Sequence, residues 1–385
     1  MNLQQITKLK YINSNSIQNN WKTKKYPTHS LHKMCSRICS FPPELPFYFI
    51  NKYSKIGDTV LDVFSGKGTV PLEACINNRI GIGNDVSPEA FILTQAKVNP
   101  VKLEDVESFI TILEKEIASV KLSKDLTELD RKAKIFFSDS TFERLLKAKS
   151  ILRNKNSPEA IFTKAMLCGI LHGTTPINLS LRCSHSYSMA PNYVKNYAKK
   201  HKLRRPNRDV IDCLRAKAKV VLANKLPAVK GKALSNDSRS LNLSDNSIYL
   251  IITSPPYFDA QTYAYDNWLR LWILGYDYRD VRKSIVETGS KKLYADFMQQ
   301  SINEMFRVLK PGSHCFIVVG DVRRRTRNSI EVVNTAEFLL DGVNKAGFHV
   351  EEIINDTIPR GRKVLTHTAE GCGIKTERIL HLVKP

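Results

Sequence analysis

Short apolar runs alternate with amphipathic segments near the start of the chain. Residues 58–64 (DTVLDVF) form a β-branched run that ends at a glycine turn, and the helical pattern TVPLEACINN follows. A second apolar run, 80–83, leads to Asp85, and SPEAFILTQAKV then continues as a helix with Pro88 near its start. The order strand, helix, strand, helix predicts a parallel sheet with crossover helices.

Residues 101–230 show a different, mostly helical pattern. We expect amphipathic helices near 104–120 and 140–153, a more apolar helix at 158–171, and basic helices near 191–202 and 207–224. The stretch TTPINLSLRCSHSYSMAP, rich in small polar residues, predicts an exposed loop between them. The whole block is interpreted as an inserted helical subdomain.

The α/β pattern returns at 248–253, an apolar strand that runs into Ser-Pro-Pro-Tyr. Helices are expected at 263–275, 293–309 and 331–346, and strands at HCFIVVGD and near 348–355 and 377–383. The strand total is about seven, and no internal repeat is present. The expected organisation is a basic arm at 1–33, an α/β domain at 34–100 and 233–385, and the helical, basic insertion at 101–232.

The charge of the chain indicates a polyanionic partner. The net charge is +22 over 385 residues, and it is clustered: residues 191–232 hold 13 lysines and arginines against two acids. The first 33 residues hold six lysines and no acid, and a third cluster lies at 323–327. Clusters of this kind neutralise phosphates and release their counterions, so they favour nucleic acid over a lysine-rich surface kept for solubility.

Other bulk features narrow the class of protein. No apolar stretch is long enough to span a membrane, and the polar N-terminus lacks the core of a secretory signal, so a cytoplasmic, nucleoid-associated protein is expected. The eight cysteines are scattered, which predicts reduced, buried thiols. Cys35 and Cys39 form the one close pair, and no Cys/His pair at zinc spacing accompanies them, so no metal site is assigned. No histidine is given a catalytic role.

The first chemical motif is VLDVFSGKGT, in which a strand ends in Gly66-Lys-Gly68. Glycines there let backbone amides approach a ligand closely. The third glycine of a dinucleotide fingerprint is missing, and Asp62 lies at the strand end, where it could meet an ammonium. Asp85 follows by 23 residues at the end of the next strand, where a carboxylate accepts hydrogen bonds from ribose hydroxyls. The alternative is that both acids only cap turns.

The second motif is Thr253-Ser-Pro-Pro-Tyr257, at the end of an apolar strand. Consecutive prolines have no amide donors, so the segment presents carbonyl acceptors; Ser254 adds a side-chain acceptor and Tyr257 a planar face. An exocyclic base amine is a poor nucleophile, because its lone pair is delocalised into the ring. Two acceptors that take its hydrogens would localise this lone pair for attack on a methyl donor, while an aromatic ring stacks on the extruded base.

Together, VLDVFSGKGT and TSPPY resemble the amino-group DNA methyltransferases, specifically the members with Ser-Pro-Pro-Tyr that methylate N4 of cytosine. The resemblance covers most of 31–100 and 235–385. Within it, 32–45 is similar to the family's N-terminal cofactor-binding segment, and 265–272 is similar to a framework segment. It implies a seven-stranded Rossmann-like sheet, S-adenosylmethionine as cofactor and double-stranded DNA as substrate, with a separate restriction endonuclease as a candidate partner. The implied catalytic residues are Ser254, Pro255, Pro256 and Tyr257. The implied cofactor-binding residues are Asp62, Phe64, Ser65, Gly66, Gly68, Thr69, Asp85 and Asp237, the last of these towards the adenine amine.

Two features depart from this family pattern. Many N4-cytosine enzymes place the Ser-Pro-Pro-Tyr segment before the glycine loop, whereas here the glycine loop comes first, as is commoner among N6-adenine enzymes. The insertion matches no motif. Its interpretation as the target-recognition region rests on charge and position, with Lys199, Lys200, Arg204, Arg205 and Arg208 expected to contact phosphates.

Several functions therefore stay open beside N4-cytosine methylation of DNA. N6-adenine methylation is one, although those enzymes usually have Asp or Asn where Ser254 stands. An RNA amino-methyltransferase is another, although those enzymes more often have an acid at that position and glycine where Phe258 stands. A non-catalytic nucleic-acid-binding scaffold is a third, and the intact motifs argue against it. Carbon-5 methylation is disfavoured, since it uses a cysteine nucleophile usually next to a proline and no Pro-Cys pair occurs.

Overall fold

A computed structural model describes residues 9–18, 20–22, 26–37, 41–122, 125–183, 190–259, 262–325, 330–357 and 376–385. The strands within these ranges are β1 (Tyr11–Asn13), β2 (Thr59–Asp62), β3 (Ile80–Asn84), β4 (Lys232–Leu234), β5 (Ile248–Thr253), β6 (Leu309–Gly320), β7 (Val322–Arg325), β8 (Ile330–Val333), β9 (His349–Thr357) and β10 (Thr376–Val383).

The central sheet has eight strands in the order β1-β9-β10-β6-β5-β2-β3-β4. Strand β10 is antiparallel to both of its neighbours, and the other pairs are parallel. The mixed α/β class is confirmed, but the sheet has eight strands rather than the expected seven. Two of the eight, β1 and β4, match none of the strands expected individually, and they form the two edges of the sheet, where β1 pairs with Ile353–Asn355 of β9. Strands β7 and β8 form a separate antiparallel pair.

The helices of the described ranges are α1 (Glu44–Tyr53), α2 (Thr69–Ile76), α3 (Pro88–Val98), α4 (Leu103–Ser119), α5 (Glu128–Lys134), α6 (Asp139–Leu152), α7 (Pro158–Ile170), α8 (Pro191–Lys200), α9 (Val210–Val221), α10 (Tyr263–Asp266), α11 (Trp268–Ile273), α12 (Tyr278–Ser284), α13 (Lys291–Val308) and α14 (Thr335–Ala346). None of them is long and apolar enough to cross a membrane. Residues 331–333, expected to begin a helix, belong to strand β8 instead. Helix α14 begins after Asn334, whose side chain accepts from the Glu337 amide.

The sheet is covered on both faces, as its apolar strands require. Neighbouring residues of β5 point to opposite sides: Leu250 and Ile252 pack in the core with Phe49 of α1, whereas Ile251 packs in the core with Met298 of α13. A strand that is apolar at every position needs partners on both faces, and these helices supply them.

The helical block between β3 and β4 shares a core with the α/β part. One apolar cluster joins Leu93 of α3 to Met166 of α7 and to Trp268 and Trp272 of α11. The Trp272 indole N–H donates to Asp130 Oδ1 of α5 at 2.7 Å. The block is therefore a helical layer packed against the crossover helices, and its expected role in target recognition stays a prediction.

The N-terminal segment, for which a basic arm at 1–33 was expected, packs against the α/β part in its described residues. Besides forming β1, it buries Trp21 against Phe49, with ring centroids 5.4 Å apart, and it buries Leu31 and Met34 completely. The Trp21 indole donates to Asp356 Oδ2 of β9 at 3.3 Å. These apolar side chains lie among polar residues in the sequence, which is why the pattern suggested an arm.

The loop after α7, expected to be exposed, is exposed at 174–176 and at Arg182 but buried at 178–181. Leu179 and Leu181 are buried, and their amides donate to the carbonyls of Ile170 (2.8 Å) and Phe136 (2.9 Å). Residues 184–189 of this stretch lie outside the described residues.

The cysteines of the described ranges are free and buried: Cys35, Cys75, Cys168, Cys183, Cys213 and Cys315. Cys39 and Cys372 lie outside those ranges. Within them, no three His, Cys, Asp or Glu side chains are grouped closely enough to hold a metal ion.

Candidate active site

A cleft opens at the carboxyl ends of β2, β3 and β5, where ligands bind in open α/β sheets. Both sequence motifs contribute to it. The predicted site residues that line the cleft are Phe64, Gly66, Asp85, Asp237, Ser254, Pro255, Pro256 and Tyr257. Four other predicted residues, Asp62, Ser65, Gly68 and Thr69, do not line it. The structure therefore joins the two motifs in one site, 188 residues apart in sequence between Gly66 and Ser254.

The glycine loop packs against helix α3 and is hydrogen-bonded to it. Gly68 has a φ of +72°, and a Cβ there would lie 2.9 Å from the Thr94 backbone, so only glycine fits. Ser65 Oγ is hydrogen-bonded to Thr94 Oγ1 at 3.0 Å, and the buried Lys97 Nζ donates to the carbonyl of Lys67 at 2.6 Å. Ser65 and Gly68 thus shape the loop rather than face the cleft.

Asp85 ties the glycine loop to the end of β3. Its Oδ2 accepts from the Gly66 amide and its Oδ1 from the Ser87 amide, each at 2.9 Å. Burial raises the pKa of Asp85, and the guanidinium charge of Arg37 opposes that rise. The carboxylate predicted to bind ribose hydroxyls therefore also fixes the loop, so the turn-capping interpretation describes part of its role.

Arg37 is a cleft residue that the motif analysis did not identify individually. Its Nη2 lies 3.1 Å from Glu89 Oε1, and Glu89 is fully buried at the start of α3. A side chain at Gly66 would place its Cβ 2.5 Å from Arg37 Nη1. The guanidinium thus lies directly over the glycine loop. Its segment, 32–45, resembled a cofactor-binding segment, but no pattern singled out the arginine.

Asp62 lies beneath the cleft floor, with 1% of its surface exposed. Its Oδ1 accepts from the Phe64 amide at 3.1 Å and from Thr253 Oγ1 at 2.7 Å, so it joins the ends of β2 and β5. Burial raises its pKa to about 7, although both hydrogen bonds favour the charged form. The described structure thus gives Asp62 a structural role, and its predicted contact with an ammonium stays a prediction.

Replacing Asp62 with Asn is expected to change the pH dependence of stability. The pKa of Asp62 is higher in the folded protein, about 7, than in the unfolded chain, about 3.9. The unfolded chain therefore loses the proton first as pH rises, and stability that is present below pH 4 is lost as pH approaches 7. Both hydrogen bonds reach Oδ1, which Asn retains.

This prediction is checked by urea unfolding of both proteins at pH 4.5 and pH 8. The free energy of unfolding of Asp62→Asn should rise relative to wild type across this interval, by on the order of 4 kcal/mol at most. A constant difference between the two proteins at all pH values would contradict the raised pKa.

Asp237 lies in the turn that follows β4, where it lines the cleft and forms an ion pair with Arg239 of the same turn. Arg239 Nη2 lies 2.6 Å from its Oδ2, and Arg239 Nε donates to its Oδ1 at 2.9 Å. This pair lowers the pKa of Asp237. The preceding residue, Asn236, exchanges two hydrogen bonds with Asn84 of β3, which fixes the turn beside the cleft.

The Ser-Pro-Pro-Tyr segment is braced by three side chains. The Pro256 carbonyl accepts from the Tyr294 hydroxyl at 3.0 Å, and the Tyr257 amide donates to the Tyr263 hydroxyl at 2.9 Å. The Tyr257 hydroxyl donates to Glu377 Oε1 of β10 at 3.1 Å. Of the two proline carbonyls, that of Pro256 is thus already used by the protein, whereas Ser254 is partly exposed in the cleft.

The helices that follow the Ser-Pro-Pro-Tyr segment also supply cleft residues. From the sequence, this part of the chain was expected to be framework and not part of the site. Tyr263, Asp266, Asn267 and Arg270 all line the cleft. Arg270 Nη1 donates to Asn267 Oδ1 at 2.6 Å, and burial raises the pKa of Asp266. One sequence feature could have identified these residues. In 265–272, polar residues alternate with tryptophans and leucines, a pattern that indicates a helix with one face in the core and the other at a site.

The predicted phosphate-binding residues do not line the cleft. Lys199 and Lys200 are exposed at the end of α8, and Arg204 and Arg205 are exposed in the turn that follows. Arg205 Nε donates to the Ile135 carbonyl at 2.9 Å, and Arg208 Nη1 donates to the Asn178 carbonyl. Arg205 and Arg208 thus brace the helical block, while Lys199, Lys200 and Arg204 project from its surface.

Comparison with known families gives one match by sequence pattern. The family model described as DNA methylase (N6_N4_Mtase) matches residues 2–96 and 248–385, which is more than half of the chain. The helical block and β4 fall between the two matched segments. No curated protein matches the chain.

Two solved structures illustrate the similarity. A proposed DNA modification methylase from Thermus thermophilus, in complex with S-adenosylmethionine, is 23% identical with a TM-score of 0.27, over 39% of this chain and 51% of that one. The chain thus spans about half the length of that protein. An S-adenosylmethionine-dependent methyltransferase from Methanosarcina mazei is 11% identical with a TM-score of 0.35, over 87% of this chain and 96% of that one.

Proposed function

Because the chain belongs to the family of N6/N4 DNA methylases, we propose that it is a site-specific DNA methyltransferase acting on the N4 amine of a flipped-out cytosine. The observation that supports this most directly is the shared cleft, in which the glycine loop and Ser254–Tyr257 face the same space. Either motif alone would fit other proteins. Their convergence gives a cofactor loop and an amine-binding segment in one site.

The cleft residues fit S-adenosylmethionine, the cofactor of this family. A nucleoside needs acceptors for its ribose hydroxyls and its adenine amine, and the turns after β3 and β4 supply the carboxylates of Asp85 and Asp237. Phe64, Val86 and Phe297 line the same cleft with apolar surface on which a purine can lie. When bound, this cofactor supplies an electrophilic methyl group on a sulfonium centre.

The contribution of the chain to the chemistry is to hold and polarise the target amine. Ser254 Oγ and the Pro255 carbonyl are the two acceptors that we assign to the two amine hydrogens, since the Pro256 carbonyl already accepts from Tyr294. Withdrawing both hydrogens localises the nitrogen lone pair and fixes its direction. The methylated amine is cationic and acidic, so it loses its proton readily, and no strong base is required.

Cytosine is preferred over adenine in this proposal because of Ser254. A serine hydroxyl is a neutral acceptor on a short side chain, whereas the N6-adenine members usually carry the longer Asp or Asn. The order of the motifs favours adenine, so N6-adenine methylation is the second candidate. RNA is the alternative substrate class.

The proposed activity is tested by incubating the purified protein with S-adenosylmethionine labelled in its methyl group. Duplex DNA of mixed sequence, folded RNA and a protein mixture serve as acceptors in parallel reactions. Label is expected in DNA alone. Label in RNA alone would contradict the assignment to DNA, and label in none of them would favour the non-catalytic scaffold.

We further propose that the helical block carries the DNA-contacting surface, and its exposed cations give a prediction. Replacing Lys199, Lys200 and Arg204 with Gln should weaken duplex binding for all sequences and reduce the slope of log affinity against log salt by roughly two to three. In the control variant, Lys102, Lys115 and Lys121, which lie in α4 and on either side of it, are replaced with Gln in the same way. Binding by fluorescence anisotropy at several salt concentrations checks it, and an unchanged slope would contradict the role of α8.

A separate restriction endonuclease and association with the nucleoid remain parts of this proposal. Both depend on the proposed DNA methyltransferase activity, and neither has a structural feature of its own in the described residues.

A further inference from the structure

Helix α8 carries a row of aromatic rings. Tyr193, Tyr197 and His201 are four residues apart, so they lie one above another on the same side of the helix and its C-terminal cap. The ring centroids of Tyr193 and Tyr197 are 5.8 Å apart with planes 24° from parallel, and those of Tyr197 and His201 are 4.2 Å apart. Tyr193, at the outer end of the row, is 44% exposed.

Packing of the core explains Tyr197 but not Tyr193. Val194 is the one buried residue of α8, and it anchors the helix to the helical block. Tyr197 is half-buried against the same core, but Tyr193 contributes little to it. Ring pairs at this spacing stabilise a helix by only about 0.2–0.5 kcal/mol, and a large exposed aromatic side chain is more useful at a binding surface.

The surroundings of the row are strongly cationic. Residues 190–208 contain no Asp or Glu and seven basic residues, which are Lys195, Lys199, Lys200, Lys202, Arg204, Arg205 and Arg208. Over the described part of the chain, none of the seven takes part in an ion pair. We call Tyr193, Tyr197, His201 and these basic residues the α8 face, in which Lys200, three residues after Tyr197, lies on the side of the rings, whereas Lys195 and Lys199 lie on the other side of the helix. Its charge is complementary to a phosphate backbone and not to a cationic or apolar partner.

Building on the proposed function, we propose that the α8 face binds a single-stranded segment of DNA, with an unpaired base stacked on Tyr193 and phosphates held by the neighbouring lysines. Cations alone would bind duplex and single strand through the same phosphates. Aromatic rings add affinity only where a base face is free, and in an intact duplex these faces are hidden in the stack. The combination of rings and cations on one helix therefore selects unpaired nucleotides.

This arrangement suits an enzyme that must take its target base out of the duplex. Extrusion costs unstacking energy and leaves unpaired nucleotides at the site. Packing connects the cleft to α8, because one apolar cluster contains both Val194 of α8 and Trp268 of α11, the helix that also carries the cleft residue Arg270. A surface that holds unpaired nucleotides would stabilise the opened state of the substrate.

The test compares single-stranded and duplex oligonucleotides of the same sequence and length, bound to the full chain without cofactor. For Tyr193→Ala, single-strand affinity should fall roughly fivefold or more, the effect of one stacked base, while duplex affinity changes less than about twofold. Tyr193→Phe keeps the ring and should bind like wild type. Tyr276→Ala removes a tyrosine that is 47% exposed elsewhere and should have no effect.

Equal losses for single strand and duplex, or no loss for either, would overturn the proposal. So would a loss confined to an RNA strand of the same sequence. Because binding is measured without methyl transfer, these results are independent of the proposed function. If the protein methylates duplex DNA but Tyr193→Ala does not change its affinity for single-stranded DNA, only the α8 proposal is refuted. If the protein transfers no methyl group, the proposed activity is refuted, whichever strand form it prefers to bind.

Discussion

Replacing Ser254 with Ala is expected to lower the rate of methyl transfer about a hundredfold or more, while the affinity for S-adenosylmethionine changes less than about twofold. The hydroxyl is one of two acceptors assigned to the target amine, and removing one such preorganised hydrogen-bonding group typically costs a factor of roughly 100 to 1,000 in rate. Ser254 follows directly after β5 and lines the cleft, whereas Asp62 and Thr253 hold the strand end without it. The fold should therefore survive the change.

Single-turnover kinetics on duplex DNA and calorimetric titration of the cofactor measure the two quantities separately. Ser150→Ala, which removes an exposed hydroxyl on α6, is the matched control and should leave both unchanged. An equal loss of rate and of cofactor affinity would show that Ser254 serves the cofactor rather than the amine.

The opposite pattern is expected for Asp85. Asp85→Ala should lower the affinity for S-adenosylmethionine about a hundredfold, with a smaller effect on the rate at saturating cofactor. The change removes the acceptor proposed for the ribose hydroxyls, and it also frees the Gly66 and Ser87 amides that the carboxylate holds. Hydrogen bonds to a charged group are worth about 1.5–3 kcal/mol each. Loss of two hydrogen bonds between the carboxylate and the ribose hydroxyls therefore accounts for a loss of affinity of about a hundredfold.

A purely structural role of Asp85 predicts a different result. In that case the thermal stability of the protein without cofactor would fall steeply, and cofactor affinity would fall only as far as the protein unfolds. Asp85→Asn is the discriminating variant, because one amide–oxygen bond can persist while the charge is lost. If Asp85→Asn bound the cofactor like wild type, the ribose assignment would be wrong.

The elements that the sequence predicted well are those with a strong local pattern. Helices α4, α6 and α7 were expected at 104–120, 140–153 and 158–171, and they begin and end within one residue of these bounds. Strands β2 and β5 are apolar runs followed by glycine or proline, so their carboxyl ends, and hence the cleft, could also be placed. Long periodic segments carry this information in themselves.

The elements that the sequence missed depend on distant partners. Strand β1 has three residues in a polar segment, and it exists because Tyr11–Asn13 pairs with Ile353–Asn355. Residues 178–181 of the loop after α7 are buried although the loop sequence is polar, because Asn178 makes hydrogen bonds within it: its Oδ1 accepts from the Thr175 amide at 3.1 Å and its Nδ2 donates to the His172 carbonyl at 3.2 Å. Contacts of this kind do not produce a periodic pattern of apolar residues, so the sequence alone does not indicate them.

The candidate site shows the same division. Gly66, Asp85 and Ser254 could be identified because each follows a recognisable strand. Arg37 could not, since its position over Gly66 depends on the packing of an irregular segment against α3. Asp62 stands in the same motif as Gly66, but the direction of its side chain follows from β5, where Thr253 donates to it.

The central claim is methylation of the N4 amine of cytosine in DNA, and one measurement tests it most directly. The protein and its Ser254→Ala variant are expressed in a host without amino-methylated bases, and host DNA and RNA are digested to nucleosides and analysed by mass. The expected result is N4-methylcytosine in DNA from cells with the wild-type protein, and a strongly reduced amount with the variant. N6-methyladenine in DNA, or a methylated base in RNA alone, would contradict the account.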